Sequence, residues 1–534
     1  MNKKWTVIII LCLAQFVMVL DSTVMNVSLS TVASDLHTTI SGMQLAITLY
    51  TLTMAALMLT GGKLGDIWGR RNAFKIGAVI YGIGSLLTGL APNLHVLLLG
   101  WSIIEGLGAV LVIPAIAALA AVNYKGKDRV IAFALIGGIS GAAAAAGPLI
   151  GGFVTTYASW RYVFIFETVI MAGVLLVANK IADEKVKGKQ NLDVLSVILS
   201  TAGMGIFVLG LLQSKTWGWV TPLGAPTIDG KAITPFGISL VAYMLLFGAL
   251  ILKWFYNRQA KLEREGKVAL LKVSLISRKH LRSGLSVLFS QYLIIASVFF
   301  IVPVYLQIVL GYDALKTGLK ILPLSVGLIL FSIIGTKLVT KYPTRKIVRI
   351  GQVGLVIGGI VLLISINPTL KGFNFGLAMF ILGSGLGLLA SQLGNVNMSA
   401  VGDENSAQGG GLQGTFQNLG SSFGTALIGS LFITYLTSGF VASINQTNLS
   451  PQIKNYVNVN SKAGVEVVSA NQLNSYALSK GLTQSEATQV TDSYTTAQLK
   501  GIKQALFYLV VIAILSLAFS RNIPKSLASD KPSS

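Results

Sequence analysis

The stretch Gly61-Gly-Lys-Leu-Gly-Asp66-Ile-Trp-Gly69-Arg70-Arg71-Asn-Ala-Phe-Lys-Ile-Gly77 has a counterpart at Gly335-Thr-Lys-Leu-Val-Thr-Lys-Tyr-Pro-Thr-Arg-Lys-Ile-Val-Arg-Ile-Gly351. The two align without gaps and share Gly, Lys, Leu, Arg, Ile and Gly at the same places. Each is a basic, polar break between the second and third apolar runs of a six-run set. A duplicated unit predicts two related halves packed around a central site, a recurring plan among membrane carriers. The interval between the copies leaves room for six helices plus two more, so the architecture reads as six, two, six.

Composition agrees with that reading. Of 534 residues, 53% are hydrophobic and only 11% charged, against about 25% in an ordinary soluble domain. Apolar runs long enough to cross a bilayer as helices recur throughout. They are placed near 5–29, 42–62, 73–91, 95–122, 130–156, 162–181, 194–213, 236–256, 284–310, 317–339, 347–366, 373–398, 408–436 and 502–520. The fold class is therefore an all-α membrane protein of fourteen spans. The first run is too long for a signal peptide and has no small-residue cleavage site before the Asp35-Leu-His37 turn. The units read as 1–182, an N-terminal six-helix bundle; 183–281, two additional spans and a connector; and 282–534, a C-terminal six-helix bundle with an outer loop near 437–500. That loop is rich in Asn, Ser, Thr and Gln and is either a flexible cap or a helical hairpin.

The net charge of +22 is mostly topology. With the N-terminus in the cytoplasm, most Lys and Arg fall on inner segments: Lys63 to Lys75, Lys125 to Arg129, Lys180 to Lys189, Arg258 to Arg282, Lys337 to Arg349 and both termini. An even number of spans puts both termini inside. The basic segment from Asn257 to Arg282 reads as a solvated or headgroup-facing connector, with anionic-lipid recognition as the alternative. Nucleic-acid binding loses its main support. The sole cysteine, Cys12, excludes an intrachain disulfide, and His37, His95 and His280 offer no metal-ligand spacing. No phosphate-binding loop and no Ser/His/Asp or Cys/His arrangement is present, so neither an ATP-driven pump nor an enzyme is expected.

Several motifs carry a family resemblance. Gly62-Lys-Leu-Gly-Asp66-Ile-Trp-Gly69-Arg70-Arg71 resembles the cytoplasmic loop signature of the major facilitator superfamily. Leu20-Asp21-Ser-Thr23-Val-Met-Asn26-Val27 resembles the first-helix signature of its fourteen-helix drug:proton antiporter branch, and Gly147-Pro148-Leu-Ile-Gly151-Gly152 its antiporter motif. Trp160-Arg161-Tyr and Tyr305-Leu-Gln307-Ile-Val-Leu-Gly311-Tyr extend the resemblance along nearly the whole chain. It implies a multidrug efflux antiporter: small lipophilic or cationic substrates, protons as coupling ion, no cofactor beyond the proton gradient, a bacterial plasma-membrane location and a monomer among membrane lipids. It also implies that Gly62, Asp66, Gly69, Arg70 and Arg71 form a gating latch, with Thr340 in place of Asp66 making the second copy unequal. Gly147, Pro148, Gly151 and Gly152 would be a hinge, although small residues in membrane helices also serve plain packing.

The residues themselves single out three acids inside the membrane, Asp21, Glu105 and Glu167. Each costs roughly 2.5–3.5 kcal/mol at a helix centre on insertion scales, so such groups usually face a cavity and mark an ion or substrate path. Span geometry puts all three between the midplane and the outer surface. A carboxyl there can hold a proton and lose it to an arriving cation. For Glu167, snorkelling or local pairing with Arg161 competes with that role. The chain departs from the family where Ser102-Ile-Ile-Glu105-Gly106 lacks the Arg and Gln usual in the fourth helix, and where Glu167 and Val169 replace Asn and Pro. Two added acids and one lost cation predict a preference for cationic cargo and coupling through carboxylates alone. Gln392, Asn395, Asn397, Gln413, Gln417 and Asn418 either line a cavity or bond helix to helix, and Phe299, Phe300 and Tyr305 either stack on a ligand cation or pack. Export of a metabolite, amphipathic lipid or peptide is the alternative function; a membrane sensor that no longer transports is a second.

Overall fold

A computed structural model describes residues 3–524 except 39, 184–191, 229–230, 371–372, 403–404 and 462–463. The lysines at 185, 187, 189, 525 and 531, expected on the inner face, lie outside the described residues. The long helices are α1 (Lys3–Asp35), α2 (Ile40–Trp68), α3 (Arg70–Gly89), α4 (Leu94–Asn123), α5 (Gly126–Tyr157) and α6 (Arg161–Val177). Then come α7 (Val194–Trp217), α8 (Leu240–Arg264), α9 (Lys279–Val309), α10 (Ala314–Leu338), α11 (Thr344–Ser365), α12 (Asn374–Val401), α13 (Ser406–Gln446) and α14 (Gln484–Ser516). Thirteen of them are long and apolar enough to cross a membrane. The exception is α3, where a span was expected over 73–91: Arg70, Arg71 and Lys75 occupy its first turns, and Arg70 is buried along with Phe74, Ala78 and Tyr81. Among the described residues the only strands are Thr227–Ile228 and Lys231–Ala232, a two-residue antiparallel ladder in the α7–α8 loop.

Two apolar cores organise the molecule. One is built from α1–α6 around Leu11, Phe74, Leu119 and Phe164, the other mainly from α9–α14 around Leu285, Leu386, Phe432 and Leu509. They meet along two seams of matching design: α5 packs on α10, and α2 packs on α13. In each seam the fifth helix of one set meets the second of the other. The α7–α8 hairpin leans through α7 on the α2/α13 seam, whereas α8 packs chiefly on α7 and leaves Leu246, Phe247, Leu250 and Trp254 exposed.

The connector after α8 is exposed at Arg264 to Val268 and anchored beyond that point. Leu270, Leu271, Val273 and Leu275 are buried, and the fully buried Gln259 accepts from Leu270 N at 2.8 Å and Leu271 N at 3.2 Å, stapling the connector to α8. Arg258 grips Asp193 at the start of α7 through two bonds of 2.8 Å. That guanidinium holds the Asp193 carboxyl below its usual range. The 437–500 region resolves the other open choice: it is helical. α13 continues to Gln446, helices Pro451–Asn460 and Ala470–Ser479 follow, and α14 begins at Gln484. Capping boxes at Ser469/Gln472 and Thr483/Glu486 start the last two. Tyr494 ties the cap down, its hydroxyl donating to Glu466 O at 2.7 Å and accepting from Val468 N at 3.0 Å.

Candidate functional site: a buried carboxylate triad beside an amide-lined chamber

Asp21 on α1, Glu105 on α4 and Glu167 on α6 converge, with one carboxylate oxygen from each lying within 4.8 Å of the others. All three are 0% exposed. They therefore do not face a cavity, as the sequence suggested; they are sealed inside the N-terminal helices. The helix around Glu105 explains part of the convergence. Leu98–Glu105 is a π-helical turn, a widened register that concentrates at functional sites, and it buries Trp101, Ser102 and Glu105.

The walls are aromatic and sparse in donors. Trp101 Nε1 donates to Asp21 Oδ1 at 2.7 Å, and its ring stacks on Tyr50 with centroids 4.7 Å apart and planes 4° from parallel. The Tyr50 hydroxyl is within hydrogen-bonding reach of Asp21. Tyr81 and Ser85 on α3 donate to Glu167 Oε2 at 3.4 and 3.3 Å. Asp21 Oδ2, Glu167 Oε1 and both Glu105 oxygens are buried without a hydrogen bond of good geometry, although Tyr81 and Ser85 lie near Glu105. No ion pair to the triad occurs among the described residues. Ser102, standing where the resemblance expects an Arg, donates to Ala46 O at 2.8 Å and supplies no cation. Three like charges this close in a dry site cannot all be ionised; each missing counter-charge has to be a proton or a bound cation. An oxygen-only set of three carboxylates would suit a hard cation as well as protons.

Arg161 does not pair with Glu167. It forms an ion pair with Asp35 at the end of α1, donates to Ala91 O at 2.9 Å and lies over the Trp160 ring at 4.6 Å. Asp35 also accepts from Trp160 Nε1 at 3.0 Å.

Apart from the triad, a chamber of about 100 Å³ lies where the two helix sets meet, lined by residues of α1, α4, α5, α9, α12 and α13. Its polar lining is Gln15, Ser140, Gln291, Tyr292, Gln413 and Gln417; none of the triad acids belongs to it. Of the amides singled out by sequence, Gln413 and Gln417 line it. Gln392 instead donates to Gly335 O at 3.0 Å and Asn418 to its own helix at 2.9 Å. Tyr305 is a packing residue, fully buried, donating to Asn367 O at 2.6 Å.

The two motif segments lie at the seams. Arg71 bonds the segment after α6, through its backbone N to Asp183 at 2.9 Å and its side chain to Ile181 O at 3.2 Å. Gly69 has φ +89°, a left-handed turn that favours glycine. Asp66 lies in the field of Lys63 and Arg70 and within reach of Gln408 at the start of α13, so the loop touches the other helix set. At the second seam, a Cβ on Gly147 would fall 1.8 Å from Thr23 Oγ1, and Gly318 of α10 packs on Pro148 O. Gly151 rests on Val24, and Gly152 is buried beside it.

Sequence reasoning missed Tyr50, Tyr81, Ser85, Trp101, Gln15 and Gln291. The signal available for Trp101 was its position four residues before Glu105, one helical turn away on the same face.

Comparisons with known proteins agree with this architecture. Residues 11–194 and 194–425 match the family model of the Major Facilitator Superfamily. A probable actinorhodin transporter of Streptomyces coelicolor is 29% identical over 83% of this chain and 75% of its own. The puromycin resistance protein of Streptomyces alboniger is 27% identical over 82% and 84%, and the tetracenomycin C resistance and export protein of Streptomyces glaucescens 26% over 84% and 79%. The proton:xylose symporter XylE superposes with a TM-score of 0.57 at 13% identity, covering 99% of this chain and 98% of that one, which speaks to fold alone.

Proposed function

Because the chain belongs to the Major Facilitator Superfamily, we propose that it is a proton-coupled antiporter exporting lipophilic drug-like molecules by alternating access. It sits as a monomer in a bacterial plasma membrane, with fourteen spans once α3 is counted and both termini cytoplasmic. Its units are 1–182, 183–281 and 282–534. Relatives that carry resistance or export in their names support efflux.

The observation that carries the proton reading is the triad: three fully buried carboxylates with one oxygen of each inside 4.8 Å and no cationic side chain paired to them among the described residues. Protons relieve the repulsion while the site is dry. Release follows when α1, α4 and α6 move and water or a new donor reaches the oxygens.

Cargo does not compete for those acids directly, since the chamber lining excludes them. Coupling runs through shared helices instead. α1 carries Gln15 in the chamber and Asp21 in the triad, about 9 Å apart along the helix. α4 carries Ile113 and Ile116 in the chamber and Glu105 in the triad. A shift that empties the triad therefore displaces two chamber walls. The seams supply the gates: the Gly62–Arg71 loop, with Asp66, closes α2 on α13, and the Gly147–Gly152 segment lets α5 slide on α1 and α10. One charge crossing 100 mV provides about 2.3 kcal/mol, a usable drive.

Proteoliposomes with an imposed pH gradient test this, with drug efflux and proton counterflow read together. Asp21→Asn and Glu105→Gln are each expected to cut counterflow at least tenfold. Unaltered coupling in both variants would remove the triad from the mechanism.

A further inference from the structure

We infer that the chamber selects neutral molecules that donate hydrogen bonds, and turns away permanently charged cations. This rests on the reading of the chamber as the cargo site, and it replaces the preference for cationic cargo expected from the added acids, because those acids lie outside the chamber lining.

The chamber has no Asp, Glu, Lys, Arg or His among its described lining residues. Its apolar walls include Ile113, Ile116, Phe133 and Ile136. A cation in such a space loses its hydration and meets no counter-charge, the least favourable way to bury a charge. The lining instead offers four glutamine amides, a tyrosine and a serine, groups that both donate and accept without net charge.

One of those amides is left open. Gln291 is 3% exposed, its Nε2 reaches Leu386 O only at 3.4 Å, and its Oε1 is buried without a partner. A buried acceptor with no donor favours a ligand that brings one. Sites built to hydrogen-bond a ligand reject analogues lacking the group far more strongly than apolar pockets reject a shape. Gln417 lines the same space, is half-buried, and commits its amide to no hydrogen bond among the described residues. At about 100 Å³ the chamber is smaller than a drug-sized ligand needs, so cargo enters as the seams part, and the same amides close on it.

The full-length protein in proteoliposomes, with a fixed pH gradient, can be given chloramphenicol, which is neutral and carries hydroxyl and amide donors, or tetraphenylphosphonium, a permanent cation. Thermal stabilisation of the purified protein by each is read in parallel. The expected result is stabilisation and transport by the neutral probe at least tenfold above the cation. Gln417→Glu should reverse that ranking by placing a counter-charge in the chamber. Gln291→Leu should weaken the neutral probe at least tenfold, while Gln291→Asn, which keeps an amide, restores part of it. Equal or better handling of tetraphenylphosphonium by the unmodified protein overturns the inference while leaving antiport intact. Failure of both probes to stabilise or move overturns the chamber as cargo site, and with it this selectivity. If neutral transport persists with no proton counterflow, the antiport reading fails and the selectivity stands.

Discussion

Two helix crossings, α3 over α4 and α11 over α12, are built the same way and serve different ends. A Cβ on Gly84 would lie 2.5 Å from Glu105 N, and one on Gly358 would lie 2.8 Å from Leu382 N. Each glycine stands seven residues beyond the end of its copy of the duplicated stretch, Gly77 or Gly351. The duplication thus reaches past the visible sequence identity into the packing. In the first copy the close approach presses on an acid; in the second it presses on a leucine. Duplication preserved the joint, and ionisable chemistry occupies one copy only. Gly84→Ala and Gly358→Ala are both expected to destabilise the fold by about 1–3 kcal/mol through overpacking, visible as lower melting temperatures. Only Gly84→Ala should also reduce proton counterflow at matched protein level. Equal uncoupling by Gly358→Ala would break the asymmetry.

Much of this contrast was hidden in the sequence for a physical reason. Hydropathy reports depth, and depth alone put Asp21, Glu105 and Glu167 at similar levels. It says nothing about which way each helix is turned, and the π turn at Leu98–Glu105 alters the facing that ideal helical spacing would give. Convergence on one point, as opposed to exposure to a cavity, was therefore not legible. Nor was the Asp35–Arg161 pair, whose members lie at opposite ends of the N-terminal set in sequence. The form of the outer cap stayed open between a flexible cap and a helical hairpin for the opposite reason. Its helices are polar, so hydropathy is silent, yet Thr483-Gln-Ser-Glu486 is a capping box that local chemistry alone could identify. The long apolar helices and the small residues at the seams were legible because bilayer thickness and close helix approach leave few alternatives, with α3 as the exception.

The loops at the ends of the two copies differ in the same sense as the crossings. Asp66 faces Lys63, Arg70 and Gln408, reaching the other helix set. Thr340, its counterpart, turns its hydroxyl back to Lys337 O at 2.8 Å in its own chain segment. Asp66→Asn is expected to shift the gate by about 1 kcal/mol, roughly fivefold in the ratio of its two states, read by accessibility labelling of the α2/α13 seam. Thr340→Ala should leave both labelling and transport near the unmodified values. A comparable effect at both positions would mean that both copies gate alike.

The smallest effect belongs to the acid that contrasts most with the triad. Asp35 is half exposed and fully provided for, with the Trp160 N–H first and the Arg161 guanidinium second holding its carboxyl below the usual range. A depressed value in the folded state means that the charge stabilises the fold above the ordinary aspartate pKa of about 3.9. That contribution is lost as pH falls through the lowered folded value. Solvent screening keeps an exposed pair of this kind to about 0.2–1 kcal/mol. Asp35→Asn retains an acceptor for Trp160 and removes only the charge, so its melting temperature at neutral pH should fall by about 1 °C at most, given the large unfolding entropy of a chain this long. The gap to the unmodified protein should close once the pH is lowered past that range. A gap that persists in acid would mean that the variant perturbs packing at the α1–α6 corner, and that the charge contributes little there.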